Sequence, residues 1–251
     1  MDLRNLAQVC HQHNKNQWER IVDAHFQQLE KIKNTALEKN TASFADNIDA
    51  LAIRLYPDGT LKNAGSDNIF YRKDLYGTIS TLVLDLPDSI MAVTPKMVNS
   101  WGKNSDELFS LGYQNVVKLC KPDIVEIVLA GDIKTLMISK SDNYLTATYI
   151  LLLENFPKCT GAFGALVSVP LRDIVVCYPF ENSQNMDRAM RVLADTTLDV
   201  YKAGPGSVSP YLYWYYEGKF ETIYYDEGKR KLTLPPELAR VTHSDLSVKV
   251  S

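Results

Sequence analysis

The chain has 251 residues, room for one large or two small domains with a substantial apolar core. Its 27 Lys and Arg against 30 Asp and Glu leave a formal charge of -3, so no global field draws it to polyanions, which argues against a nucleic-acid partner. With 45% hydrophobic and 23% charged residues, 12 Gly and 11 Pro, the composition is that of a folded globular protein, neither disordered nor fibrous.

The start, Met1 to Leu6, runs into the polar stretch His11 to Asn16 and has no apolar region of the secretory kind. Apolar runs such as Tyr149 to Leu153 are far below the roughly 20 residues a bilayer-crossing helix needs, so a cytosolic chain with no membrane partner is expected. Cys10, Cys120, Cys159 and Cys177 are scattered without a C-x-x-C pair and read as reduced structural thiols.

Trp18, Ile21, Val22, Phe26, Leu29 and Ile32 recur at helical spacing with charged residues between them, which predicts an amphipathic helix lying on the chain's own sheet or in a partner's groove. The polar stretch Asn34 to Ser43 reads as a connection. Asp49 to Tyr56 predicts a strand ended by the turn residues Pro57-Asp58-Gly59, and Lys62 to Asn68 a surface loop. Thr78 to Leu86, rich in β-branched residues, and Ser89 to Val93 predict two further strands.

Thr94 as N-cap, Pro95 at the first position and Gly102 past the end define a short helix, with Met97, Val98 and Trp101 on one face. Asn104 caps another, for which Leu108, Leu111, Val116 and Leu119 form the expected buried stripe before Lys121-Pro122 stops it. Ile124 to Leu129 and Lys134 to Ser139 flank Gly131-Asp132 as a hairpin, and Asn143 to Phe156 leans towards helix. Ala165 to Val169 and Asp173 to Tyr178 are strand-like runs interrupted by Pro170. Met186 to Tyr201 predicts a long helix ended by Gly204-Pro205-Gly206.

A hairpin around Glu217-Gly218-Lys219 and a strand at Lys231 to Leu234 complete the pattern. Tyr211 to Tyr216 is aromatic on both faces, as in a covered central strand; exposure as a recognition surface is the alternative. The fold class is therefore α+β, with mixed, largely antiparallel sheets, packed helices and an N-terminal amphipathic helix. Its parts are a helical segment at 1–45, an α+β domain at 46–240 and a frayed polar tail at 241–251.

Chemical motifs are sparse. Neither a phosphate-cradling glycine loop nor a G-x-S-x-G elbow occurs, and the closest runs, Gly161 to Gly164 and Gly204 to Gly206, lack the required order. Cys10, His11 and His13 cannot converge on one metal from a regular helix, because positions two apart point about 200° from each other. No cofactor or metal is therefore assigned. Asp85 and Asp88 flank Leu86-Pro87 at a strand end, and Arg172 adjoins Asp173 at the start of another. With Arg54 they form a candidate polar cluster, able to hold a cation or to work as acid and base, or else to satisfy sheet-edge polar groups.

At these same residues the chain resembles the YtpQ-like family, uncharacterised bacterial proteins. The carrying segments are Arg54-Leu55-Tyr56-Pro57, Leu84 to Ser89 followed by Val93-Thr94, Trp101-Gly102, Glu107-Leu108-Phe109, Asn115, Val169-Pro170, Arg172-Asp173 and Trp214 to Gly218. They fall in order between residues 50 and 220, and Leu171 stands where such proteins carry a small polar residue. The resemblance implies a single α+β domain and brings no activity, cofactor or catalytic residue with it.

Three functions follow as expectations. The first is a non-enzymatic protein that binds another protein, for instance as an inhibitor or immunity-type partner, through Trp18, Phe26, Tyr211, Tyr213, Trp214 and Tyr215, with homo-oligomers allowed. The second is a carboxylate-based hydrolase or metal-dependent enzyme. The third is a small-ligand sensor with its cleft between the sheet and the helix near 183–203, which requires an apolar pocket there.

Overall fold

A computed structural model describes residues 3–38, 43–86, 89–141, 143–181 and 185–247. Its contacts divide the chain into two compact units, Met1–Asp74 with Thr78–Cys120 and Ala203–Gly206, and Leu75–Gly77 with Lys121–Lys202 and Ser207–Ser251. Among the described residues the strands form a four-stranded and a seven-stranded sheet with every pairing antiparallel, and helices accompany both, so the fold is α+β. The span 46–240, taken from sequence as one domain, is shared between the two units.

The first unit opens with α1 (Arg4–His11), a helix the sequence did not announce, and α2 (Trp18–Glu38). Helix α2 carries the expected stripe but extends through residues 34–38, which were read as connection; Lys39 to Ala42 lie outside the described residues. From Trp18 to Glu30 no side chain is buried, and Phe26 is 46% exposed, so docking on the chain's own sheet is not what the stripe does there. The helix is steadied locally instead. Trp18 packs edge-on to His11 at 5.3 Å and its Nε1 donates to the His13 carbonyl at 3.1 Å.

After the single turn α3 (Phe44–Asn47) come β1 (Leu51–Pro57), the short helix α4 (Thr60–Ala64), β2 (Tyr71–Arg72), β3 (Thr78–Leu86) and β4 (Ser89–Ala92). Helix α4 and a 3-10 turn at Ser66–Asn68 occupy the segment expected to be loop. Strand β3 is the spine: β1 pairs one edge, while β2 and β4 share the other. The next two helices, α5 (Pro95–Trp101) and α6 (Ser105–Leu119), start as their caps predict. Thr94 Oγ1 accepts from the Met97 N–H at 3.2 Å, and Asn104 Oδ1 from the Asp106 N–H at 2.7 Å.

The buried face of α6 is Leu108, Phe109, Gly112, Asn115 and Val116, and Leu119 is exposed, one step round from the predicted stripe. Two contacts with the β1 region turn it. Asn115 Nδ2 donates to the carbonyls of Ile48 and Leu51, each at 2.8 Å, and a Cβ at Gly112 would meet Ile53 Cδ1 at 2.8 Å.

The second unit is built on β5 (Asp123–Leu129), β6 (Ile133–Ser139), β7 (Ala165–Leu171), β8 (Ile174–Pro179), β9 (Leu212–Tyr216), β10 (Lys219–Asp226) and β11 (Lys231–Thr233). Their spatial order is β11-β10-β9-β7-β8-β6-β5. Pro170, read as an interruption, sits inside β7, where the register with β8 shifts between Ser168 and Leu171. A residue without an N–H is tolerated at such an irregularity.

Helix α7 (Met186–Ala203) covers one sheet face, its Met190 and Leu193 packing with Leu166, Val176, Leu212, Trp214 and Ile223. The same core receives Leu238 of α8 (Pro236–Ser247), a helix that runs through much of the segment read as polar tail. On β7 and β8 packs the segment Thr146–Asn155, helical as expected but wound as 3-10 turns and kinked at Leu152.

Candidate functional site

Registers across the larger sheet bring six residues into direct opposition: Val125 on β5, Met137 on β6, Val176 on β8, Ser168 on β7, Leu212 on β9 and Ile223 on β10. Five are aliphatic. Val176, Leu212 and Ile223 belong to the core shared with α7, so this row faces that helix. Ser168 therefore puts a hydroxyl in the middle of an apolar face.

That hydroxyl is buried and has no hydrogen-bond partner among the described residues. Leaving such a group unsatisfied costs about 1–3 kcal/mol, and an apolar residue would sit there without that penalty. Ser168 lines a cavity of about 200 Å³ between the sheet and α7, together with Ile127, Met137, Pro170, Leu193, Thr197 and neighbouring apolar side chains. Several of these, Ile127, Met137, Thr196 and Val200 among them, are only half-buried, which puts the mouth of the cavity towards β5, β6 and the second half of α7. Among the described lining residues no side chain is charged.

The ligand-sensor expectation requires an apolar pocket between the sheet and this helix, and an apolar cavity is there. Ser168 itself was not singled out. The visible signal was the inward series Leu166, Ser168, Pro170, one polar side chain on a face otherwise apolar.

The candidate polar residues fall into two groups: Arg54 and Asp85, whose charges interact, and the adjacent Arg172 and Asp173. Arg54 and Asp85 belong to the first unit. Arg54 on β1 stacks over the Tyr56 ring, 4.7 Å from its centroid. Asp85 lies near the end of β3, where burial holds its carboxyl above the usual aspartate range while the Arg54 charge pulls it back down. Asp88 lies outside the described residues.

Arg172 and Asp173, in the second unit, are the two-residue turn joining β7 to β8, since Leu171 pairs with Ile174. The Arg172 guanidinium sits 3.8 Å from the Tyr144 ring centroid. Its carbonyl accepts from Ala147 N–H at 2.9 Å, anchoring the 3-10 segment. Turn and anchor duties account for Arg172, whereas Asp173 Oδ1 is buried with no hydrogen-bond partner among the described residues.

The aromatic candidates divide in the same way. Tyr213 and Trp214 are 0% and 2% exposed, so neither can be a contact surface; β9 is a covered central strand, as its two apolar faces predict. A polar relay fixes them. Tyr211 N–H donates to Ser209 Oγ at 3.1 Å, the Ser209 hydroxyl donates to the Tyr213 oxygen at 2.6 Å, and the Tyr213 hydroxyl donates to the Tyr76 carbonyl at 2.7 Å. Trp214 Nε1 donates to the Phe163 carbonyl at 2.9 Å. Tyr215 is half-buried against Phe220.

Besides Phe26, Tyr76 is exposed at 53% and Tyr224 at 45%, and these two tyrosines form an edge-to-face trio with half-buried Tyr211. Spacing could not reveal it, because Tyr76 is remote in sequence from the other two.

All four cysteines are buried thiols. Cys159 and Cys177 form a hydrogen-bonded pair, and that bond together with full burial raises the Cys177 thiol. Among the described residues no group of three acidic, histidine or cysteine side chains could hold a metal ion, and no helix is long and apolar enough to cross a membrane. Compared with protein-family models, curated proteins and solved structures, the chain matches none.

Proposed function

We propose that the second unit is a small-molecule-binding module that holds a neutral apolar ligand in the cavity beneath α7, and that the chain senses this ligand without transforming it. The cavity carries the proposal. Its volume of about 200 Å³ exceeds the roughly 150 Å³ of an apolar cavity that takes up benzene. Its lining supplies three hydroxyls and otherwise apolar surface, with no group suited to proton transfer near neutrality.

Para-xylene, a neutral single-ring probe of fitting size, is expected to raise the melting temperature of the wild-type chain. Val200→Phe, which fills the mouth from a half-buried position, abolishes that shift. Equal shifts in the two proteins, or none in the wild type, overturn the proposal.

A second reading, binding of another protein, is favoured by the uncovered stripe of α2, where Trp18, Ile21, Val22 and Leu29 are half-buried and Phe26 is exposed. Phe26→Asp would then remove a stoichiometric partner recovered by the wild-type chain under native conditions, and recovery unchanged by the substitution argues against this surface. A cytosolic setting and kinship with YtpQ-like proteins belong to the same proposal, the latter supported by the ordered segments between residues 50 and 220.

A further inference from the structure

We infer, resting on the ligand-binding reading above, that the occupant of the cavity carries one neutral hydrogen-bonding group, a hydroxyl or carbonyl, seated on Ser168 Oγ, on a body of about eight non-hydrogen atoms that is otherwise apolar.

Three observations converge on this class. Ser168 is 1% exposed, lines the cavity and is the lining hydroxyl left buried without a partner among the described residues. Its neighbours across the sheet, Val176 on β8 and Leu212 on β9, are aliphatic, so nothing beside it in the row can satisfy it. The register between β7 and β8 breaks directly after it, and irregularities of this kind recur where a strand re-aims a side chain towards a site.

Size and charge set the rest. Scaling from the roughly 150 Å³ that accepts a six-carbon ring, 200 Å³ takes about eight heavy atoms. Among the lining residues none is charged, so a carboxylate, phosphate or ammonium would be buried without a counter-charge. A serine hydroxyl both donates and accepts, and a ligand hydroxyl or carbonyl is equally well met.

The test is a calorimetric titration of the full chain with para-cresol, para-xylene and benzoate, in the wild type and in Ser168→Ala. Para-cresol and para-xylene differ by hydroxyl against methyl at nearly constant shape. We expect the ratio of para-cresol to para-xylene affinity to fall by about threefold to tenfold in Ser168→Ala, para-xylene affinity to stay unchanged, and benzoate not to bind.

Ser168→Cys, of similar volume and weaker hydrogen-bonding power, gives an intermediate ratio and keeps the comparison available should the alanine variant fold poorly. An equal ratio in wild type and variants overturns the seating on Ser168 while leaving the apolar cavity reading intact. Benzoate binding as tightly as para-cresol overturns the neutral class. If neither neutral probe binds the folded wild type, both this inference and the reading beneath it fall.

Discussion

Gly112 is the point on α6 that lies against β1, and its missing side chain is what allows the approach. An added Cβ would lie 2.8 Å from Ile53 Cδ1 and 3.0 Å from Ile53 Cγ1, so the fully buried Ile53 side chain would have to shift. Gly112→Ala is therefore expected to destabilise the protein by about 1–3 kcal/mol in urea unfolding, despite the better helix propensity of alanine. Asp85 is a quieter case. Burial raises its carboxyl, so the protonated form is favoured in the fold; its stabilising share is complete below the ordinary aspartate range and is lost as pH rises through the raised value. Asp85→Asn should unfold at higher urea than wild type at neutral pH, with the gain vanishing in acid. Because the carboxyl is only about half shielded from solvent, the gain is small. Of these residue-level facts, the caps Thr94 and Asn104 were legible, since a cap bonds within its own turn. The orphaned hydroxyl of Ser168 was not, because being buried without a partner depends on strands far apart in the chain.

The same division holds for whole elements. Strand β3 begins and ends where its β-branched run, Gly77 and Pro87 place it. The turns at Ala130-Gly131 and Glu217-Gly218, all with positive φ, follow from their glycines. Helix α2 was legible as a helix, but not which of the two expected surfaces covers it, since periodicity reports a stripe without naming what lies on it. The face of α6 was displaced for a related reason: Leu119 fits the spacing, yet Asn115 and Gly112 orient the helix through β1. The Glu217-Gly218 turn makes its own prediction. Glu217 holds φ at 47°, a conformation that asparagine tolerates better, so Glu217→Asn should raise stability by about 1 kcal/mol in thermal or urea unfolding. An unchanged midpoint would show that the turn is not strained.

For the whole molecule, the α+β class could be read from the alternation of strand and helix patterns, whereas the division into two units could not. Three residues, Leu75–Gly77, are grouped with strands that follow them by dozens of positions, and Ala203–Gly206 are grouped with helices near the N-terminus. No composition shift marks either exchange. In the second unit the relay through Tyr213 ends on the Tyr76 carbonyl; in the first, Gln12 Nε2 donates to the Gly204 carbonyl at 3.1 Å. Residues 121–251 produced alone should therefore melt at a lower temperature than the same unit in the intact chain, which calorimetry of the two can decide.

The interleaved grouping also bears on how the gene could be cut or recombined. A break after Cys120 looks clean on paper, yet it would strip each portion of a short stretch that its own architecture uses. Shuffling one portion into another protein would require carrying that stretch along, or engineering a substitute for it.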